Sequence, residues 1–136
     1  MTDVNRQELD DMPIETSCTA DGHCVEFSLI GQIYGADIIY ANMAFHEKYD
    51  NALLKYKVID KSRTTESIIS LDEVKAISQL DRGLLQQYPR LMIVFIIRRD
   101  QEAVTTQQWT ALSGGIYGRV RFFDSRKEAQ DWMESH

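Results

Sequence analysis

Seven consecutive apolar residues, from Leu91 to Ile97, constrain the fold of this chain more than any other stretch. The run is too short to span a bilayer, and it lacks the alternation of a strand that has one wet face. Pro89 ends any helix that precedes the run, and Arg98 returns the chain to water. These features predict a central strand of a parallel or mixed sheet that helices cover on both faces.

The periodicity of the remaining residues predicts an α/β domain with the element order ββαβαβαβα. Alternating apolar residues predict further strands at 13–19, 23–32, 53–60 and 118–123. Helical spacing predicts helices that begin near residues 35, 70, 102 and 125, the second and fourth at capping-box sequences. The first two strands should form a hairpin, and the others a mixed, mostly parallel sheet. Residues 61–66 are expected to be a polar loop, and the helix at 102–112 is weaker because it is rich in Thr and Gln.

Composition and the N-terminal residues suggest a cytoplasmic globular protein. Residues 1–12 are polar and acidic, so we expect a loosely held arm before a single domain over residues 13–136. A chain of 136 residues with 43% hydrophobic and 26% charged residues is ordinary for such a domain. No run is long enough for membrane insertion, and the N-terminus does not resemble a signal peptide. The net charge of -6 disfavours nucleic acid as a partner.

Two cysteines flank the strongest hairpin signal in the chain, Asp21-Gly22. If these two residues form the turn, Cys18 pairs with Val25 and the Cys18 and Cys24 sulfur atoms point to opposite faces of the hairpin. A three-residue loop would reverse that conclusion. Two reduced cysteines are the expected state.

The residue patterns that normally carry catalysis are missing from the sequence. His23, His46 and His136 do not have metal-ligand spacing, and Cys18 and Cys24 do not form a zinc knuckle. No nucleophile elbow is present, and the glycine-rich loop at 114–118 follows a predicted helix, whereas a phosphate cradle precedes one. The sequence therefore predicts no metal, no cofactor and no catalytic residues.

The predicted order resembles the SpoIIAA-like fold of STAS domains, and more narrowly that of uncharacterised bacterial SpoIIAA-like proteins. The resemblance covers roughly residues 13–134. It rests on a strand ending at Asp60, a capped helix at Ser70, the buried strand at 91–97, and the closing strand and helix at 120–133. It implies a binding or regulatory role without catalysis.

The resemblance also suggests site residues. In the antagonists of this family an Asp-x-Ser pair follows the third strand, and a phosphorylatable serine lies in an Asp-Ser-Ser-Gly stretch at the next helix start. Asp60 and Ser62 match the first element. Ser70 lacks the second motif around it, but it is the only position to which a phosphoacceptor role carries over. A plain N-cap is the other interpretation of Ser70.

Aromatic and apolar residues around the first helix exceed one core stripe, and they suggest a binding surface made by Tyr34, Tyr40, Met43 and Phe45. We expect a non-catalytic regulatory module whose partner is another protein or a second copy of the chain. The alternative is a carrier of a small apolar, lipid-like ligand. A partner requires an exposed patch, a carrier requires an enclosed cavity beneath a helix, and an enzyme requires a cleft with converging titratable groups.

Overall fold

The computed structural model describes residues 13–99 and 119–135. In chain order, the elements are β1 (Ile14–Cys18), β2 (Cys24–Leu29), β3 (Gly31–Tyr34), α1 (Gly35–Lys48), a short 3₁₀ helix (Asn51–Leu53), β4 (Tyr56–Asp60), β5 (Thr64–Ile68), α2 (Leu71–Gln87), β6 (Met92–Ile96), β7 (Val120–Phe123) and α3 (Arg126–Glu134). The expected arm at 1–12 and the expected helix at 102–112 lie outside the described residues. Among the described residues, no helix is both long enough and apolar enough to cross a membrane.

A five-stranded sheet in the order β1-β2-β4-β6-β7 forms the centre of the fold. β1 is antiparallel to β2, and every other neighbouring pair is parallel. The prediction of a mostly parallel mixed sheet with an antiparallel hairpin at one side is therefore confirmed. The hairpin register is the predicted one, because Cys18 pairs with Val25 and the Thr19 N–H donates to the Cys24 carbonyl at 2.9 Å. The turn itself differs from the prediction, because the Gly22 N–H donates to the Thr19 carbonyl at 2.9 Å and the turn centres on Ala20 and Asp21.

The apolar run forms β6, and both of its faces are covered as predicted. Ile93 and Phe95 are 1% and 5% exposed and pack in the core beneath α1 and α2. Val94 is fully buried on the opposite face, in a smaller cluster that includes Ala129 of α3. Among the described helices, α1 and α2 thus cover one side of the sheet and α3 covers the other.

A second, two-stranded parallel sheet made by β3 and β5 was not predicted. The sequence suggested one strand over 23–32 and a loop over 61–66, and both interpretations were wrong. Gly31 has a φ of +76°, which ends β2 and redirects the chain into β3. The buried hydroxyl of Thr64 donates to the Leu29 carbonyl at 2.8 Å and so holds the start of β5 against the end of β2.

A buried polar group that we call the Lys57 cluster lies between the sheet and the two helices. Lys57 of β4 is 1% exposed, and its Nζ is 2.8 Å from Oδ1 of Asp81 on α2. It also donates to Oδ1 of Asn42 on α1 and lies 3.3 Å from Nε2 of His46. Lys57 was not among the predicted core or site residues. It is buried because both faces of β4 are covered.

The first prediction concerns β6. Val94→Asp would place a carboxylate without a partner in a fully buried site, and the cost of several kcal/mol approaches the stability of a whole domain. We expect no cooperative unfolding transition by circular dichroism. Thr65→Asp, an exposed β-branched position on β5, is the matched control and should unfold near the wild-type midpoint. A wild-type midpoint for Val94→Asp would contradict the two-sided burial of β6.

The second prediction concerns pH. Burial, and then the nearby Lys57 ammonium, lower the pKa of His46 below its ordinary value of 6.5. As pH falls through that ordinary value, the unfolded chain takes up a proton that the folded chain does not bind, so the free energy of unfolding decreases. His46→Gln should lose less stability than the wild type between about pH 8 and pH 5.5 in chemical denaturation. Equal pH dependence in the two proteins would show that His46 does not contribute.

Candidate binding surfaces

Ser70 begins α2 and forms the capping box that its sequence predicts. Its hydroxyl accepts a hydrogen bond from the Glu73 N–H at 3.1 Å, and the Ser70 N–H donates to the Glu73 carboxylate at 2.9 Å. Two backbone groups near the start of the helix are thereby satisfied. Ser70 remains exposed, so the cap does not bury its side chain.

Exposed apolar side chains lie close to Ser70. Tyr34 at the end of β3 pairs in register with Ile68 at the end of β5, and they are 47% and 37% exposed. Leu71, the first residue of α2, is 60% exposed. We call Tyr34, Ile68, Ser70 and Leu71 the Ser70 surface. Clustered, exposed apolar side chains are typical of protein-binding surfaces.

The N-terminal ends of α1 and α2 meet beside this surface. A Cβ atom at Gly35 would lie 2.5 Å from Cδ of Glu73, so only glycine allows the two helix starts to approach this closely. Asp37 accepts from the Tyr34 N–H at 3.3 Å at the start of α1, as Glu73 does at the start of α2. Each helix start thus carries a carboxylate whose negative charge interacts favourably with the positive end of the helix dipole.

Asp60 and Ser62 do not join the Ser70 surface. Asp60 is 6% exposed and accepts hydrogen bonds of 2.9 Å from the Ser62 N–H and from Arg126. Arg126, at the start of α3, also binds both carboxylate oxygens of Glu26 at 2.7 Å. Asp60 therefore belongs to a salt bridge on the α3 side of the sheet, while Ser70 begins a helix on the other side.

The aromatic residues of α1 divide between surface and core. Tyr40 and Met43 are 65% and 48% exposed, as a binding role requires. Phe45 is 4% exposed, because it lies on the inward stripe of α1, where it stacks on Tyr49 at 4.7 Å and meets the edge of Phe27. Phe45 is thus a core residue rather than part of an exposed surface.

An open groove runs between α1 and β1, with a volume of about 380 Å³. We call it the α1 groove. The strand side is formed by Pro13, Ile14 and Thr16. The helix side includes Asp37, Tyr40, Ala41, Ala44, Phe45 and Lys48.

A second depression lies on the α3 side of the sheet and contains Cys24, Glu26 and Arg126. Burial, with a smaller effect of Glu26, raises the pKa of the Cys24 thiol to about 11. At neutral pH this thiol is protonated and a weak nucleophile. The hydrogen bonds that Arg126 donates to Glu26 raise the pKa of Arg126 still further, so Arg126 is a fixed cation held by two carboxylates. Within residues 13–99 and 119–135, no group of three His, Cys, Asp or Glu side chains could hold a metal ion.

Comparison with known proteins gives similarity at the level of structure. No protein-family model matches the chain, and no curated protein is significantly similar to it in sequence. The anti-sigma factor antagonist SpoIIAA in its unphosphorylated form has a TM-score of 0.62 at 8% identity, covering 90% of this chain and 99% of that chain. Bacillus SpoIIAA in its phosphorylated form has a TM-score of 0.58 at 11% identity, covering 88% and 98%.

A third solved structure is an uncharacterised protein of the DUF3478 family from Shewanella loihica PV-4, described as having a SpoIIAA-like fold. Its TM-score is 0.52 at 16% identity, and the match covers 88% of this chain and 90% of that chain. Nearly the whole of each relative is matched, although the identities are low. The chain therefore has the SpoIIAA-like, STAS-type α/β fold.

Proposed function

We propose that this chain is a non-catalytic regulatory module that binds a protein partner through the Ser70 surface. The observation that carries the proposal is the exposure of three large apolar side chains, on Tyr34, Ile68 and Leu71, around the start of α2. A single exposed apolar side chain is common on protein surfaces, but a cluster of them marks an interaction site. Covering the cluster with a partner removes a large apolar area from water, which favours binding.

The titratable groups support a binding role over a catalytic one. Lys57 and Asp81 are paired in the core, and the pKa of Cys24 is raised so that its thiol stays protonated. Arg126 is held by Glu26 and Asp60 at the start of α3. A catalytic base or nucleophile needs a pKa near the working pH and access to substrate. These groups instead stabilise the packing of helices on the sheet.

The fold relatives support the same proposal. Two of them are structures of SpoIIAA, which is named as an anti-sigma factor antagonist and has been solved with and without phosphate. A protein of that kind acts through its contacts with other proteins. In this chain, phosphorylation of Ser70 would add charge at the centre of the Ser70 surface, where the helix dipole favours it and the Glu73 carboxylate opposes it.

A carrier of a small lipid-like ligand has weaker support. The cavity beneath α1 and α2 has a free volume of only about 10 Å³ and is lined in part by Lys57 and Asp81. That volume accommodates one water at most. The larger α1 groove is open, since Tyr40 on its rim is 65% exposed. We therefore propose protein binding first.

The third prediction tests the proposed function on α2 itself. Leu71→Ser should abolish capture of the partner when the tagged protein is cross-linked and purified from the cells that produce it. Leu80→Ser is the matched control, because Leu80 is exposed on the same helix but lies more than two turns from Ser70. Quantitative mass spectrometry should find one protein retained by the wild type and by Leu80→Ser and lost with Leu71→Ser. The same set of proteins from all three baits would contradict the proposal.

The fourth prediction separates the cap from regulation at Ser70. Ser70→Ala should lower the free energy of unfolding by about 1 kcal/mol, because the Glu73 N–H loses its acceptor. Ser70→Asp should keep nearly wild-type stability, since aspartate also caps, and should reduce capture of the partner by adding charge to the surface. Unchanged capture by Ser70→Asp would leave Ser70 with a capping role alone.

A further inference from the structure

We propose that two copies of the chain form a symmetric dimer in which their β1 strands pair antiparallel and the α1 groove of each copy faces α1 of the other. This inference uses different residues from the Ser70 surface, and it does not depend on the proposed function. It rests on the backbone of β1 and on the order of residues along α1.

The outer edge of β1 has the hydrogen-bonding groups that strand pairing needs. Within the described part of the chain, β1 is the last strand of its sheet. The Pro13 carbonyl accepts a 2.7 Å hydrogen bond from the Ile30 N–H, and the Thr19 N–H donates a 2.9 Å bond to the Cys24 carbonyl. Both groups therefore point toward β2. Because antiparallel bonding alternates along a strand, the backbone groups that point outward are those of Ile14, Thr16 and Cys18.

These outward groups fit a second copy of the same strand. A two-fold axis through Thr16 places Thr16 opposite its own copy, Ile14 opposite Cys18, and Glu15 opposite Ser17. The outward N–H and C=O groups then coincide in register, and no like charges face each other. Pairing of this kind would join the two sheets into one.

The helix side of the α1 groove is self-complementary about the same axis. When α1 faces an antiparallel copy of itself, Asp37 lies opposite Lys48 and Ala41 lies opposite Ala44. Acid meets base at both ends, and small residues meet at the centre. Thr16 itself lines the α1 groove, so a two-fold axis beside Thr16 passes next to this groove.

The charges at the two ends select a second copy over other occupants. The chain carries a net charge of -6, so two copies repel each other except where local charges are complementary. Two Asp37–Lys48 pairs supply that complementarity and fix the antiparallel orientation. The apolar part of the groove, including the 65% exposed Tyr40, then becomes buried between the copies.

Sedimentation equilibrium of the full chain over a wide range of concentration tests the proposal. We expect a monomer–dimer equilibrium whose Kd rises about tenfold or more in Lys48→Glu, because two attractive pairs become two repulsive ones. Thr16→Pro removes an outward N–H without removing a bond to β2, and it should also weaken the dimer. Lys75→Glu, the same charge change on the exposed face of α2, should leave the Kd unchanged.

Mixing two weakened variants gives the sharpest result. Lys48→Glu chains and Asp37→Lys chains each repel their own kind, but a mixed dimer has opposite charges at both ends. The mixture should therefore dimerise more tightly than either variant alone, which damage to folding would not produce. A monomer at every concentration, as expected if a peptide or another part of the chain fills the groove, would overturn the proposal. So would a dimer that neither Lys48→Glu nor Thr16→Pro weakens, or a mixture that shows no gain.

Discussion

The positions of α1 and α2 on the sheet face opposite α3 depend on one buried ammonium group. Lys57 is 1% exposed, and its partners come from both helices, Asp81 from α2 and Asn42 from α1. Burying such a charge without partners would be costly, so any packing that moves one helix away from Lys57 is penalised. A buried ion pair adds little net stability relative to apolar packing. We infer that Lys57 contributes mainly by excluding other arrangements of α1 and α2.

Local sequence signals predicted the parts of the fold that depend on local chemistry. The run of residues 91–97 predicted a strand buried on both faces, and the sequence at Ser70 predicted a capped helix start. The hairpin was predicted with the right register, although its turn centres on Ala20 and Asp21. The parts that were missed depend on contacts between distant residues. The strand β5 is held by backbone pairing with β3. Its sequence does not alternate between apolar and polar residues, so it gave no strand signal.

The candidate site shows the same division. Of the residues predicted to form a binding surface around α1, Tyr34, Tyr40 and Met43 are exposed, whereas Phe45 faces the core. The buried Asn42 makes this division hard to read from the sequence, because a polar residue occupies an inward position of α1 in order to bind Lys57, while Tyr40 points outward. Asp60 was suggested as a site residue by the family resemblance, and the sequence did not reveal its salt bridge with Arg126, which is 66 residues away.

The two edges of the sheet explain why β1 is the edge suited to a second copy. Among the described strands, β7 forms the opposite edge, and there the exposed Arg121 lies 5.5 Å from the ring of Trp132 on α3. A charged side chain on an edge strand opposes further pairing. β1 carries Glu15 as its one charged residue, and Glu15 is compensated by Arg63 at 3.8 Å. Pairing at β1 would leave the Ser70 surface free, because Tyr34 and Ile68 belong to the separate β3–β5 sheet. Dimerisation and partner binding can therefore occur in the same molecule.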